Sequence, residues 1–238
     1  MLKRIAILGA DENEQKAIEK KVKKLDVQLV NIQADAPLIG LCDGLIHNTP
    51  ASEAIALSIQ HADRALGILQ LLAEAIDCRE SFKPNSSKRV VEHATRFAKA
   101  LDLSDDDRIL FERAALLRDI GKLRIPNEVL LKDGLLTYEE WNLIQGHTTI
   151  GADLVAAIDG LSELAEIIRC HHECYDGDGY PNKLEGEAIP YLARALKIVD
   201  VYCAMTSPRN YRSGCATPED ALAHLKNERS KHFDTDLV

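Results

Sequence analysis

The chain has 238 residues, of which 46% are hydrophobic and 28% charged, and its formal net charge is -9. This composition is typical of a soluble globular protein with one sizeable core, and the negative charge argues against a nucleic-acid backbone as the main partner. No run approaches the roughly 20 apolar residues that span a bilayer, and the six cysteines are scattered along the chain, so we expect a cytoplasmic protein.

Residues 1–50 predict a small α/β module. Short apolar runs at 3–8 and 27–32 are typical of strands, and the charged stretch at 12–25 has the spacing of an amphipathic helix. A third strand is predicted at 42–47. Together these elements give the alternating order of a small parallel α/β unit.

The remainder of the chain predicts a helical domain. Residues 51–80 form one continuous helical pattern, which we interpret as a connecting helix or a dimerisation element, and we expect a homodimer. Residues 81–238 are assigned to an all-α domain, and the fold class is therefore mainly α. Its six helices are marked by apolar residues at helical spacing within 90–101, 110–117, 141–158, 164–172, 189–207 and 217–228.

Several side chains on the inward stripes of these helices are of types that bind metal ions. They are Asp119, His147, the pair His171–His172, and Asp200. Imidazole and carboxylate ligands together suit iron, manganese or zinc. His147 alone is more often a core histidine, but two adjacent imidazoles at the end of an apolar stripe each need a buried partner, which a metal ion supplies.

The order of the motifs carries more information than any one of them. The sequence reads RDIGKLRIP, then LTYEEWNLIQGHTTIG, then HHECYDGDGYPNKLEG, then ARALKIVDVYCAMTSPRNYR. This order resembles the HD-GYP family over about residues 86–238. The resemblance implies an all-α HD-superfamily fold and a bacterial enzyme that hydrolyses cyclic di-GMP with two or three iron or manganese ions.

The resemblance also implies roles for individual residues. The implied metal ligands are Asp119, His147, His171, His172 and Asp200. The implied catalytic residues are Asp119 and Lys122. The implied phosphate-binding residues are Lys122, Arg209 and Arg212.

Two other features follow from resemblance. The loop Gly179–Tyr180–Pro181 is implied to contact partners such as diguanylate cyclase (GGDEF) domains. The N-terminal module weakly resembles a truncated receiver domain that lacks its acceptor aspartate, so we expect docking or dimerisation there rather than phosphorylation.

Two ligand positions depart from the family pattern. The family's first ligand histidine corresponds to Ser86, and the histidine of its His-Asp signature corresponds to Arg118. In the resembling enzymes these two histidines hold one metal together with Asp119 and Asp200, whereas the other metal site keeps all its ligands here. We therefore expect at most one ion, iron or manganese. His93 is no substitute for Ser86, because seven helical residues span about 10 Å.

Arg118 has two interpretations that the sequence leaves open. Its guanidinium either fills the missing pocket, neutralises Asp119 or Asp200 and binds phosphate, or it extends to solvent from the helix edge.

The sequence is compatible with three functions. The leading one is a signalling protein of the cyclic di-GMP system with weak or no phosphodiesterase activity, acting by ligand or partner binding. The second is an active metal-dependent phosphohydrolase on cyclic di-GMP or a smaller phosphoester. The third is a pure interaction module that docks a diguanylate cyclase domain. Loss of the ligands at Ser86 and Arg118 argues against the second, and retention of Lys122, Arg209 and Arg212 argues against the third.

Overall fold

The computed structural model describes residues 4–7, 28–31, 51–80, 86–158, 161–207 and 215–238, and it describes side chains from residue 65 onward within these ranges, except residue 80. The described residues are mainly helical, which confirms the predicted fold class. The chain divides into two compact units, Met1–Gly67 with Ile158–Gly160 and Ile68–Ala157 with Leu161–Val238.

The first unit contains a pair of short parallel strands. Strand β1 (Arg4–Ile7) pairs with β2 (Gln28–Asn31), residue for residue. Both lie within the apolar runs that predict strands. The predicted helix at 12–25 and the predicted strand at 42–47 lie outside the described residues.

A long helix is followed by the helices of the second unit. Helix α1 (Ala51–Glu80) has 30 residues, and none of the described helices is long and apolar enough to cross a membrane. The other helices are α2 (Ser86–Ala100), α3 (Asp105–Leu117), α4 (Asn127–Leu130), α5 (Tyr138–Gln145), α6 (His147–Ala156), α7 (Ser162–Cys170), α8 (Tyr191–Thr206) and α9 (Pro218–Asn227). Short 3-10 turns lie at Ile120–Arg124 and Gly186–Ala188.

Side-chain caps fix where several helices begin. The Thr217 hydroxyl accepts a hydrogen bond from the Asp220 amide, and Pro218 is the first helical residue, so the start predicted for the last helix is confirmed. Thr137 and Glu140 cap each other's backbone in the same way at the start of α5. Such caps satisfy amides that have no partner within the helix.

The single helix predicted over 141–158 is wrong, because the chain forms two helices there. Helix α5 ends at Gln145 and α6 begins at His147, with Gly146 between them. Glycine weakens a helix because it lacks a side chain and costs more backbone entropy to order. The break gives His147 the first position of a new helix.

The core of the second unit lies around α3. This helix packs against α2, α7 and α8, while α6 packs against α7 and against the 3-10 turn that follows α3. Phe111, Ala114 and Leu117 on α3 are at most 1% exposed. The end of α3 therefore delivers the next residues, Arg118 and Asp119, into the middle of the helical domain.

Candidate metal site

Three histidines of the second unit bring together nitrogens that could bind a metal ion. The ligand atoms of His147, His171 and His172 all lie within 4.8 Å of one another. His147 is the first residue of α6, and the other two directly follow α7. The close packing of α6 on α7 brings the two helix ends together.

Backbone carbonyls orient two of these rings. His147 Nδ1 lies 2.6 Å from the Ile144 carbonyl oxygen, and His171 Nδ1 lies 2.6 Å from the Ile168 carbonyl oxygen. A carbonyl only accepts, so each Nδ1 carries the proton and donates it, which leaves a lone pair on Nε2. A donor bond of this kind on the far nitrogen is the usual support of a metal-binding histidine.

The inward nitrogens of these two histidines lack hydrogen-bond partners among the described residues. His147 Nε2 and His171 Nε2 are buried and make no hydrogen bond. Leaving a buried polar atom unsatisfied costs about 1–3 kcal/mol. Two unbonded buried nitrogens this close together would both be satisfied by one metal ion, so these residues fit a metal site.

Burial keeps the three imidazoles neutral. It lowers the pKa of His171 to about 4, with a further contribution from His147. Burial and the neighbouring imidazoles also hold the pKa of His172 well below its usual range, and burial lowers the pKa of His147. Neutral imidazole is the form that binds metals.

Arg118 turns inward instead of extending to solvent, and it neutralises both carboxylates that the sequence offered as partners. It is 5% exposed, and its Nε donates to Asp200 Oδ1 over 2.6 Å. Its Nη2 lies 3.0 Å from Asp119 Oδ2, and its Nη1 donates to the Ala115 carbonyl over 2.9 Å. The guanidinium therefore bridges the carboxylates of Asp119 and Asp200.

Asp119 also connects this cluster to the histidines. Its Oδ1 lies 3.0 Å from Lys122 Nζ and 3.5 Å from His147 Nε2. Although burial acts in the opposite direction, the positive charges of Lys122 and Arg118 hold the pKa of this carboxyl well below its usual range. Asp119 is therefore ionised and contacts both halves of the site.

The glycine of the Asp-Ile-Gly-Lys motif permits this arrangement. A Cβ atom at Gly121 would lie 1.9 Å from the His147 carbonyl oxygen and 2.6 Å from the Gly151 amide nitrogen. The 3-10 turn that carries Lys122 therefore packs directly on the backbone of α6. This contact sets the distance from Asp119 to His147.

Two buried charged residues that we did not predict support the loop after the histidines. Glu173 is 1% exposed, and its carboxylate accepts hydrogen bonds from the amides of Asn182 and Leu184. Lys197 is 8% exposed, and its Nζ donates to the His172 carbonyl over 3.1 Å. Adjacent apolar positions on one helix stripe were a usable signal for Lys197, whereas nothing in the sequence indicated that Glu173 is buried.

The loop that carries Tyr180 folds back over the histidines. The Tyr180 ring stacks on His172, with 5.0 Å between centroids and 29° between planes. A Cβ atom at Gly179 would lie 2.2 Å from the Cys174 amide nitrogen, so only glycine permits this approach. Burial, with the nearby carboxylates of Asp119 and Asp200, raises the pKa of Tyr180, which keeps its hydroxyl protonated.

The other residues that the sequence singled out are not among the groups described above at the histidine cluster. Ser86 is exposed at the first position of α2, and His93 lies against Tyr202, with ring centroids 5.1 Å apart. Pro181 follows Tyr180 and is half-buried. Arg209 and Arg212 lie outside the described residues.

Comparisons with known proteins identify relatives for this arrangement. The family description "HD domain" matches residues 70–237. The chain is 34% identical over 98% of its length to the cyclic di-GMP phosphodiesterase response regulator RpfG of Xanthomonas campestris, covering 65% of that protein. It is 30% identical over 97% of its length to 3'3'-cGAMP-specific phosphodiesterase 2 of Vibrio cholerae, covering 42% of that protein.

A solved structure supports the fold. The structure of a cyclic GMP-AMP-specific phosphodiesterase of Vibrio cholerae, V-cGAP3, superimposes with a TM-score of 0.55 and 21% sequence identity. The match covers 72% of this chain and 46% of that one. The chain thus spans less than two thirds of the length of these relatives.

Proposed function

The chain belongs to the HD-domain family, of the HD-GYP type that its motifs predict, and we propose that it binds cyclic di-GMP through one metal ion with weak or no hydrolysis. In this proposal it is a signalling protein of a bacterial cytoplasm. The observation that carries the proposal is the guanidinium of Arg118 between Asp119 and Asp200. By the resemblance, these carboxylates hold the second ion in active relatives.

The charges around the site favour an anionic ligand only when an ion is bound. The cations of Arg118 and Lys122 balance the carboxylates of Asp119 and Asp200, and the three imidazoles are neutral. A divalent ion at the histidines raises the local charge to about +2. Cyclic di-GMP carries two phosphodiester charges, so it complements the site even though the whole chain is acidic.

The residues that would hold this ion are His147, His171 and His172, with Asp119 beside them. When bound, an ion there supplies electrophilic charge for a phosphodiester oxygen. Backbone carbonyls keep the first two imidazoles in the required tautomer. Tyr180 packs over His172 and excludes water from that face of the ring.

Arg118 differs from a metal ion in the chemistry that it offers. A guanidinium supplies positive charge and a rigid fork of hydrogen-bond donors, but it has no site to coordinate an oxygen and stays protonated. It therefore neutralises Asp119 and Asp200 without helping to deprotonate a water molecule. Water activation between two ions is the step that a two-metal phosphodiesterase depends on, so binding survives this replacement better than turnover.

Phosphate contacts in the proposal come from cations near the histidines. Lys122 is held within 3.0 Å of Asp119 by the 3-10 turn, at the edge of the histidine cluster. Arg209 and Arg212 are proposed to add further contacts from the segment after α8. Arg118 contributes positive charge next to the carboxylates of Asp119 and Asp200.

An alternative function is hydrolysis with a single ion, on cyclic di-GMP or a smaller phosphoester. The observation in its favour is that Asp119, Lys122 and three histidines remain together, as that reaction requires. Docking of a diguanylate cyclase domain without nucleotide is less favoured, because Tyr180 faces the histidines and is half-buried rather than fully displayed.

The test is to measure binding and hydrolysis separately on one preparation. Protein purified without oxygen and loaded with manganese or iron is titrated with cyclic di-GMP by calorimetry, and the nucleotides are then separated by chromatography. We expect saturable binding and no more linear product than the Asp119→Ala and His147→Ala variants give.

Two results would change the assignment. Linear product well above that of the Asp119→Ala and His147→Ala variants would make the protein a one-metal phosphodiesterase. Absence of binding by the loaded protein would overturn the nucleotide role altogether. His93→Ala serves as the control for a histidine substitution, because His93 contacts Tyr202 and none of the cluster histidines.

A further inference from the structure

A series of aromatic rings runs from the buried histidines to the protein surface. The centroids of His171 and His172 are 4.1 Å apart, and those of His172 and Tyr180 are 5.0 Å apart. The Trp141 indole then meets Tyr180 edge-on, with 6.4 Å between centroids. The series begins at a fully buried ring and ends at Trp141, which is 45% exposed.

Trp141 and the residues that precede it in sequence include several large apolar side chains that are exposed. They include Leu135, which is 94% exposed, and Tyr138, which is 75% exposed. Exposed apolar residues are normal on protein surfaces, but large aromatic side chains next to convergent polar groups are typical of ligand-binding sites.

The helix that carries Trp141 is held firmly at its start. Thr137 and Glu140 form reciprocal capping bonds, and Lys132 Nζ lies 2.6 Å from a Glu140 carboxylate oxygen. A ring on such a helix needs little ordering when a ligand stacks on it. Pre-organised aromatic rings give affinity at low entropic cost.

We propose that Trp141, together with Tyr180, forms a subsite that stacks a purine base of the bound nucleotide. The inference rests on the proposed function, because it assumes that a phosphodiester lies at the histidine cluster. A base is joined to its phosphate through one sugar, so a phosphate at the histidines leaves the base near the outer rings. Aromatic faces bind bases by stacking and tolerate different purines.

This subsite assigns recognition of the base to residues outside the ion cluster. Lys122 and the ion recognise phosphate, which every phosphodiester shares. Trp141 distinguishes a ligand with a large aromatic base from one without.

Trp141 is the single tryptophan of the chain, so its fluorescence reports on this subsite alone. The metal-loaded protein is titrated with cyclic di-GMP and, separately, with dimethyl phosphate, a phosphodiester without a base. We expect a saturable fluorescence change and protection from acrylamide quenching with cyclic di-GMP only. Dimethyl phosphate is expected to leave the indole signal unchanged.

Calorimetry with three variants then measures the contribution of the ring. Trp141→Ala should weaken cyclic di-GMP binding by about 10- to 100-fold, whereas Trp141→Phe should keep most of the affinity. Tyr191→Ala is the matched control: Tyr191 is an aromatic residue of similar exposure, 43%, and its ring packs against Arg194. It should leave the affinity unchanged.

The outcomes separate this inference from the proposed function. Wild-type affinity in Trp141→Ala, with no fluorescence change in the intact protein, would overturn the subsite and leave nucleotide binding at the histidines standing. No calorimetric binding of cyclic di-GMP to the loaded wild-type protein would overturn both. An equal loss of affinity for dimethyl phosphate would show that Trp141 only supports the fold, which also contradicts the subsite.

Discussion

The two halves of the site differ in how fully their polar atoms are satisfied. On one side, Arg118 bridges the carboxylates of Asp119 and Asp200, so opposite charges meet at 2.6–3.0 Å. On the other side, His147 and His171 each present a buried nitrogen that makes no hydrogen bond to the described residues. The polar atoms of the first half are satisfied by the protein itself, whereas those of the histidine half are not.

This difference separates structure from function within a single cluster. A buried charge needs a compensating charge before the chain can fold, and the guanidinium provides it permanently. An unpartnered imidazole costs less and can wait for an ion. An arginine at position 118 therefore gives a stable, charge-balanced site whose chemistry differs from that of a metal ion.

Arg118→Ala is expected to have the largest effect on stability, because it removes the cation that Asp119 and Asp200 share. It leaves the part-buried carboxylates of Asp119 and Asp200 without their shared cation, and we expect a loss of about 3 kcal/mol in the free energy of unfolding, measured by denaturant titration. Arg169→Ala is the matched control, because Arg169 pairs with the exposed Asp153 over 2.8 Å and should cost about 1 kcal/mol or less. Equal effects of the two variants would contradict the buried role of Arg118.

Metal binding at the histidine half is tested by removing an imidazole. His171→Ala should abolish the rise in melting temperature that manganese or iron gives the wild-type protein, because an ion that binds only the folded state stabilises it. We expect the metal affinity to fall by more than about 100-fold, beyond the loss caused by removing a supporting contact. His93→Ala should retain the full metal-induced shift.

Contact between the two halves depends on the glycine at position 121. Gly121→Ala forces a Cβ atom against the His147 carbonyl, and overpacking of this kind costs about 1–3 kcal/mol. It should also weaken metal binding by moving Asp119 from His147. Gly67→Ala, on α1 with nothing within 4 Å of the new Cβ, should be neutral or stabilising by about 0.5–1 kcal/mol; destabilisation there and none at position 121 would refute the packing argument.

Acid should weaken the histidine half of the metal-free protein. The pKa of His171 is about 4 when folded and 6.5 as its ordinary value, so below pH 6.5 the unfolded chain takes up a proton that the folded chain does not. Stability present above pH 6.5 is therefore lost as the pH falls toward 4, by up to about 1.4 kcal/mol per pH unit for this group. Melting curves should show a shallower acid slope for His171→Ala; parallel slopes would contradict this.

A smaller effect is expected where helix α1 meets the turn that carries Lys122. The Arg79 guanidinium donates to the Lys122 carbonyl over 2.9 Å and to Asn127 Oδ1 over 2.7 Å. Arg79→Ala should cost about 1–2 kcal/mol of unfolding free energy and alter metal affinity only slightly. A complete loss of metal binding would show that this tether, and not Gly121, positions the turn.

Periodicity and motif order predicted the helices of the second unit and the residues that surround the histidines. Inward stripes identified His147 and the pair His171–His172, because one face of a helix repeats every three to four residues. Periodicity did not reveal the break at Gly146, since the sequence keeps apolar residues at helical spacing from Trp141 to Ile158.

Tertiary pairing accounts for what the sequence left undetermined. The direction of Arg118 depends on Asp200, 82 residues away, and no local pattern records that pairing. Glu173 and Lys197 are of residue types that usually lie on the surface. Their burial depends on the Asn182 amide and the His172 carbonyl, which only the folded chain brings near them. The contacts of Arg79 are of the same kind.

We propose that one ion binds at the histidines while the Arg118 guanidinium takes the place of another. The most direct test is the number of iron or manganese ions per chain in protein prepared without oxygen, measured by elemental analysis. We predict one ion per chain in the wild-type protein and none in His147→Ala. Two ions per chain in the wild-type protein would contradict the account.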